Sequence, residues 1–171
     1  HSTSAIILIS ITNSIFTSYY LNVSIKKQAY EILLLALQHK IAAIENDLLA
    51  IKESISNETK STAGDKYETA RAMLHIEQEN VMKQLANAQN QKHELTAVDT
   101  SQVASVVRHG SLVTTNYGIF FIATAMGKIV VDENSIVTLS KISPLGKVLM
   151  GKKENDIVLF DSRRYEIKKV E

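Results

Sequence analysis

Asp65 and Glu68 stand three residues apart in the stretch STAGDKYETARA, Ser61 to Ala72, between two runs of helical pattern. Carboxylates at that spacing share a helix face, so both can point outward from one place. Two hard oxygen donors suit part of a Mg²⁺ shell that water and a partner's ligands complete; alone they make no tight site. The positive end of a helix dipole also favours acids in a first turn, an ordinary structural role that spacing does not separate from a functional one. Lys60, Lys66 and Arg71 flank the pair. They read either as solvated charges or as contacts to a phosphate backbone beside the metal.

Little else in the chain could act alone. The five histidines, at 1, 39, 75, 93 and 109, form no HExxH pair. The glycines form no Walker-type phosphate loop, and there is no G-x-S-x-G elbow. Cysteine is absent, which excludes disulfides, thiolate metal sites and a Cys nucleophile and fits a reducing, cytoplasmic setting. Nineteen basic and eighteen acidic residues nearly cancel over 171 residues, so bulk charge does not announce a nucleic-acid binder. A self-contained enzyme is not expected, nor a cofactor bound by the chain alone.

The elements that must carry the two acids are long. From Ser24 to Ser56 there is no Gly or Pro, and Tyr30, Leu34, Leu37, Ile41, Ile44, Leu48, Ile51 and Ile55 alternate spacings of 4 and 3. That a/d seam predicts a helix facing a partner helix, with Ser24 as its N-cap. A polar break, SNETKSTAG, follows. The second run, from about Asp65 to Thr96, has a weaker seam: Leu74, Val81, Leu85, Ala88 and Leu95 fit, while Gln78 and Lys92 interrupt it. Two helices of similar length with a short polar turn predict an antiparallel coiled-coil hairpin over residues 22–98, its tip at about 56–66. The alternative is a helix pair laid flat on a globular core.

After a linker at 99–104 the pattern changes. SLVTTN, GIFFIAT, KIVVD, SIVTLS, DIVLF and RRYEIKKV read as six strands separated by Gly, Asp and Asn turn signals. Between the fourth and fifth, Ser143 and Pro144 predict the start of a short helix that reaches Met150 and ends at Gly151. Residues 105–171 thus form a small α+β domain. Residues 1–21 read as an over-extended or non-native leader. AIILISI, Ala5 to Ile11, is far shorter than the roughly 20 residues of a membrane-spanning helix. A truncated signal peptide is the rival, although no charge precedes Lys26. No membrane partner is expected.

The segment ISPLGKVLMGKKENDIVLF, Ile142 to Phe160, resembles the signature of the Gre transcript-cleavage factors of bacterial RNA polymerase. Ser143, Pro144, Leu145, Leu149, Gly151, Lys152, Asp156 and Val158 match that family's pattern in order and spacing. The tip is similar too. GDKYETARA keeps Gly64, Asp65, Glu68 and Ala70 in register with the family's tip, and departs at Lys66, Tyr67, Thr69, Arg71 and Ala72. A competing alignment anchored on Tyr67 places Lys60 and Ala63 where the acids belong. The resemblance extends from about Asn22 to Glu171.

The resemblance implies a helical hairpin followed by a small FKBP-like antiparallel β domain with one short helix. It implies a monomeric accessory factor, not itself an enzyme. Its C-terminal domain would dock on RNA polymerase through Ser143, Pro144, Leu145, Leu149, Gly151 and Lys152. Its hairpin would enter the secondary channel, where Asp65 and Glu68 help hold a Mg²⁺ shared with the polymerase. The polymerase would then hydrolyse backtracked RNA near the nascent 3′ end, with Lys60, Lys66 and Arg71 touching RNA or channel. Two other readings stand beside it: a non-cleaving channel binder that inhibits polymerase, and an unrelated coiled-coil interaction module. Prolyl isomerisation is not inferred, because fold alone does not carry function.

Overall fold

The uninterrupted seam of the first helical run becomes α1, Ile25–Lys60, and the second run becomes α2, Asp65–Thr96. The structure is a computed structural model. It describes residues 24–60 and 65–171, with side chains outside residues 58–67. The expected leader at 1–21 and residues 61–64 of the expected tip lie outside the described residues, while Ser56 to Lys60, expected as part of the polar break, continue α1 as helix. Ser24 caps α1 as its sequence position predicts, its Oγ accepting from the Lys27 N–H at 3.3 Å.

The two helices pack on each other along the seam. From Gln38 to Asn57 the covered side chains of α1 are Ile41, Ile44, Leu48, Ile51 and Ile55, the a/d positions and nothing else. Along α2, Leu74, Gln78, Val81, Leu85 and Ala88 are covered at the same period, so the interrupting Gln78 stays in the seam. Nearer its start α1 is covered on a second side as well, at Ala29 and Leu33, both fully buried.

What covers that second side is a sheet. Its strands are β1 (Leu112–Thr115), β2 (Gly118–Ala123), β3 (Gly127–Val131), β4 (Asn134–Ser140), β5 (Ile157–Phe160) and β6 (Arg163–Val170). Helix α3, Pro144–Leu149, lies between β4 and β5. The strand order is β3-β4-β2-β1-β6-β5. One face carries Leu112, Phe121, Ala123, Val131 and Ile136, packed against Ala29, Leu33, Leu37, Leu95 and Val98 of the hairpin base. The other face carries Val113, Phe120, Ile122, Val158, Tyr165 and Ile167, covered by Leu149 of α3 and by Val107. The apolar run GIFFIAT is the consequence: β2 is central and buried on both sides.

The sheet is mixed, which corrects the expectation of an antiparallel domain. β2 and β4 run parallel, from Ile119 beside Ile136 to Ala123 beside Ser140. Exposed Lys128 and Val130 suit β3 to an edge, whereas β4 has buried or half-buried residues on both faces from Ile136 onward. The turn at Asp132, with φ 52°, therefore returns β4 into the space between β3 and β2, in the direction of β2. Thr138 ties the crossing: its hydroxyl donates to the Gly127 carbonyl at 2.8 Å and accepts from the Met126 N–H at 3.0 Å.

Candidate functional site

Helix geometry places the two acids far from the sheet. The hairpin leaves the sheet at Gln91, whose amide nitrogen donates to the Ala125 carbonyl at 2.9 Å and whose Oε1 accepts from Lys40 Nζ at 3.4 Å. From Lys40 to Lys60, and from Gln91 back to Asp65, the helices continue for about 30 to 40 Å at 1.5 Å per residue. Asp65 opens α2 and Glu68 stands one turn in, on an exposed position. Both lie where the unpaired N–H groups of the first turn favour negative charge.

Lys60 closes α1, and Lys66 follows Asp65 in α2; the side chains of Lys60, Asp65 and Lys66 lie outside the described residues. Arg71 sits one turn beyond Glu68 and is half-buried, so its stem belongs partly to the hairpin seam. The backbone thus gathers Lys60, Asp65, Lys66 and Glu68 at one end of the hairpin. Among the described residues no group of three His, Asp or Glu side chains could hold a metal ion. The donor chemistry at this end fits a hard cation only as half a shell, two carboxylates whose other ligands must come from elsewhere.

The base of the hairpin is fixed by more than packing. His109 Nε2 lies 2.9 Å from the Glu94 carbonyl in the last turn of α2, and Thr96 Oγ1 donates to the His93 carbonyl at 3.0 Å. The Glu94 contact occupies a carbonyl that the helix end leaves open, and the Thr96 hydroxyl joins the Ala97 N–H (3.2 Å) on the His93 carbonyl. Lys26, buried in the first turn of α1, donates to the Gln102 carbonyl at 2.7 Å. Burial, and then the nearby Arg108 charge, push its amine below the ordinary lysine value. Asp99 is held below the usual carboxylate range because its Oδ1 accepts from Ser101 Oγ at 2.6 Å and from the Ser101 N–H at 2.9 Å.

The second set of candidate residues surrounds α3, and most of them have work inside the fold. Ser143 is the N-cap: its Oγ accepts from the Gly146 N–H at 3.1 Å and donates to the Ser140 carbonyl at 2.8 Å. Pro144 takes the first helical position, as its place after Ser143 predicts. Leu149 is fully buried, and Gly151 holds φ 77° while its N–H donates to the Val107 carbonyl at 2.8 Å. Lys152 returns the pairing through its carbonyl, which accepts from the Val107 N–H at 2.6 Å. Asp156 Oδ2 closes the following turn on the Lys153 N–H at 2.9 Å.

Gly146 is a residue that spacing did not single out. A Cβ there would meet the Ser140 carbonyl oxygen at 2.2 Å, so only glycine lets α3 approach the end of β4. Between residues 142 and 152 the chain leaves Ile142, Pro144, Lys147 and Gly151 toward solvent, with Ser143, Leu145, Val148, Met150 and Lys152 half-buried. Gln91 and Lys26 were likewise not read as positioning residues. The available signal was the pair of off-seam apolar positions Ala29 and Leu33, which mark where α1 needs a second partner.

Among the described residues no helix is long and apolar enough to cross a membrane. Compared with protein-family models and with characterised proteins, the chain gives no match.

Proposed function

We propose that the protein is a Gre-like accessory factor of bacterial RNA polymerase. The hairpin reaches the catalytic centre through the secondary channel while the sheet domain, FKBP-like in this reading, stays outside. The observation that carries the proposal is geometric: a two-helix rod continues about 30 to 40 Å beyond its anchored base and has Asp65 and Glu68 at its far end. A rod with carboxylates at its end, joined to a domain bearing the Ile142 to Phe160 signature, is suited to deliver ligands into a site it does not itself contain.

Asp65 and Glu68 would each offer a carboxylate to a Mg²⁺ ion whose other ligands are polymerase side chains and water. A metal so held supplies charge for water activation and for the leaving oxygen in a two-metal centre. The chain's own part is to carry the acids, exclude alternatives by the shape of the rod, and present Lys60, Lys66 and Arg71 to RNA or channel wall. Ile142, Pro144 and Lys147 are the exposed side chains through which the α3 segment would meet polymerase.

The departures at Lys66 and Tyr67 favour a second reading, a channel binder that regulates polymerase without cleavage. RNA in stalled, backtracked elongation complexes separates the two. Added protein shortens the RNA from its 3′ end if the first reading holds. Reduced transcription without shortening, relieved by a competing cleavage factor, supports the second. No effect on polymerase and no association with it would leave an unrelated coiled-coil module.

A further inference from the structure

The two edges of the sheet are protected unequally. In β3 the pairs Val131–Asn134, Ile129–Ile136 and Gly127–Thr138 alternate with Lys128 and Val130, both exposed. Lys128 places a charge on that edge, the usual device against strand-to-strand association. β5 has its shortness as protection but no charge of its own. Its four residues, Ile157 to Phe160, include no charge, no proline and no glycine.

The ladder shows which backbone groups of β5 are open. The Ile167 N–H donates to the Asp156 carbonyl at 3.0 Å, and residues of an antiparallel pair alternate between bonded and non-bonded positions. Val158 and Phe160, opposite Tyr165 and Arg163, therefore bond to β6. The N–H and C=O groups of Ile157 and Leu159 point the other way, toward an edge with no strand partner among the described residues. The side chains of the same two residues are 48% and 74% exposed. They lie on the sheet face that the hairpin base covers at Leu112, Phe121 and Ile136 but does not cover at β5.

We propose that two copies of the chain pair through β5, antiparallel about a twofold axis at Val158, and so extend the sheet from one copy into the next. In that register Ile157 of each copy lies opposite Leu159 of the other, and both sets of open backbone groups face one another. About four inter-strand hydrogen bonds form, and the aliphatic side chains make one cluster on a single face. A shift by one residue would set Ile157 against Val158, which points to the opposite face; self-pairing thus has one good register. No like charges meet within the paired segment, since none is present. With only four residues per strand the interface falls below about 1,000 Å², which makes the pairing weak and concentration-dependent.

The full chain is followed by sedimentation from about 10 μM to about 1 mM, with amide hydrogen exchange read at both ends of that range. The expected result is a monomer–dimer equilibrium in the upper part of the range, with the amides of Ile157 and Leu159 exchanging more slowly as dimer forms. Leu159→Lys, at a position that leaves the fold undisturbed, weakens association at least about tenfold, while Val130→Lys on the opposite edge leaves it unchanged. A monomer throughout the range overturns the proposal, even if the edge captures an extended peptide. So does a dimer indifferent to Leu159→Lys, or slowed exchange confined to β3.

Discussion

Gln91 donates its side-chain amide to the Ala125 carbonyl at 2.9 Å, so a residue of the second helix is bonded directly to the loop between β2 and β3. The same side chain accepts from Lys40 on the first helix at 3.4 Å. One residue thus connects both helices and the sheet at the level where the hairpin departs. Gln91→Ala should cost about 0.5 to 1.5 kcal/mol in unfolding free energy, the range of an ordinary hydrogen bond. In urea denaturation the midpoint should fall with the slope unchanged.

The hairpin base and the sheet share one core, and Leu33 lies within it, fully buried. Leu33→Ala should destabilise by about 2 to 5 kcal/mol, from lost transfer energy plus the cavity left behind. Leu49, on the same helix but 58% exposed, should change stability by less than about 0.5 kcal/mol when replaced by Ala. Helical and near-ultraviolet circular dichroism of Leu33→Ala should both shift to lower denaturant. A shift in one signal alone would separate the hairpin base from the sheet.

Much of this architecture was legible in the sequence because each signal was local. The a/d seam of α1, the six β-rich runs, and the Ser143–Pro144 start of α3 all depend on neighbours within a few residues. What was not legible depends on distant partners. The parallel pairing of β2 with β4 follows from which strand tolerates an edge. The bulge between β1 and β6, where Thr114 faces Lys169 but Thr115 faces Ile167, keeps Val170 on the buried face after Ile167. Neither has a periodicity of its own. The tip acids were visible as residues, but the metal-holding role proposed for them depends on ligands that this chain does not supply.

Gly146 tests the close approach of α3 to β4. Gly146→Ala would place a methyl group 2.2 Å from the Ser140 carbonyl oxygen and 2.8 Å from Ser143 Oγ, so the cap must break or the helix must move. The expected cost is about 3 kcal/mol or more. Thermal unfolding checks it, with Lys147→Ala on the exposed side of α3 as the comparison.

Lys26 gives the stability a pH dependence of known sign. Its folded value lies below the ordinary 10.5, chiefly through burial. Between the two values the unfolded chain binds the proton more strongly than the folded one, so this contribution to stability rises with pH across that window. Lys26→Met should be as stable as the parent at about pH 7, or more so, because a buried charge has been removed. At about pH 10 the parent should have gained on the variant. Denaturant midpoints of the two proteins at both pH values give the comparison.

The central claim is that Asp65 and Glu68 act together at the end of the hairpin, inside another protein's catalytic centre. Its most direct test compares the parent with Asp65→Ala/Glu68→Ala in the rate of RNA cleavage by backtracked polymerase complexes, at protein concentrations where both bind equally. The account predicts stimulated cleavage by the parent and a loss of about 100-fold or more in the double variant, with polymerase binding retained. Absence of stimulation by the parent, or full stimulation by the double variant, would contradict it.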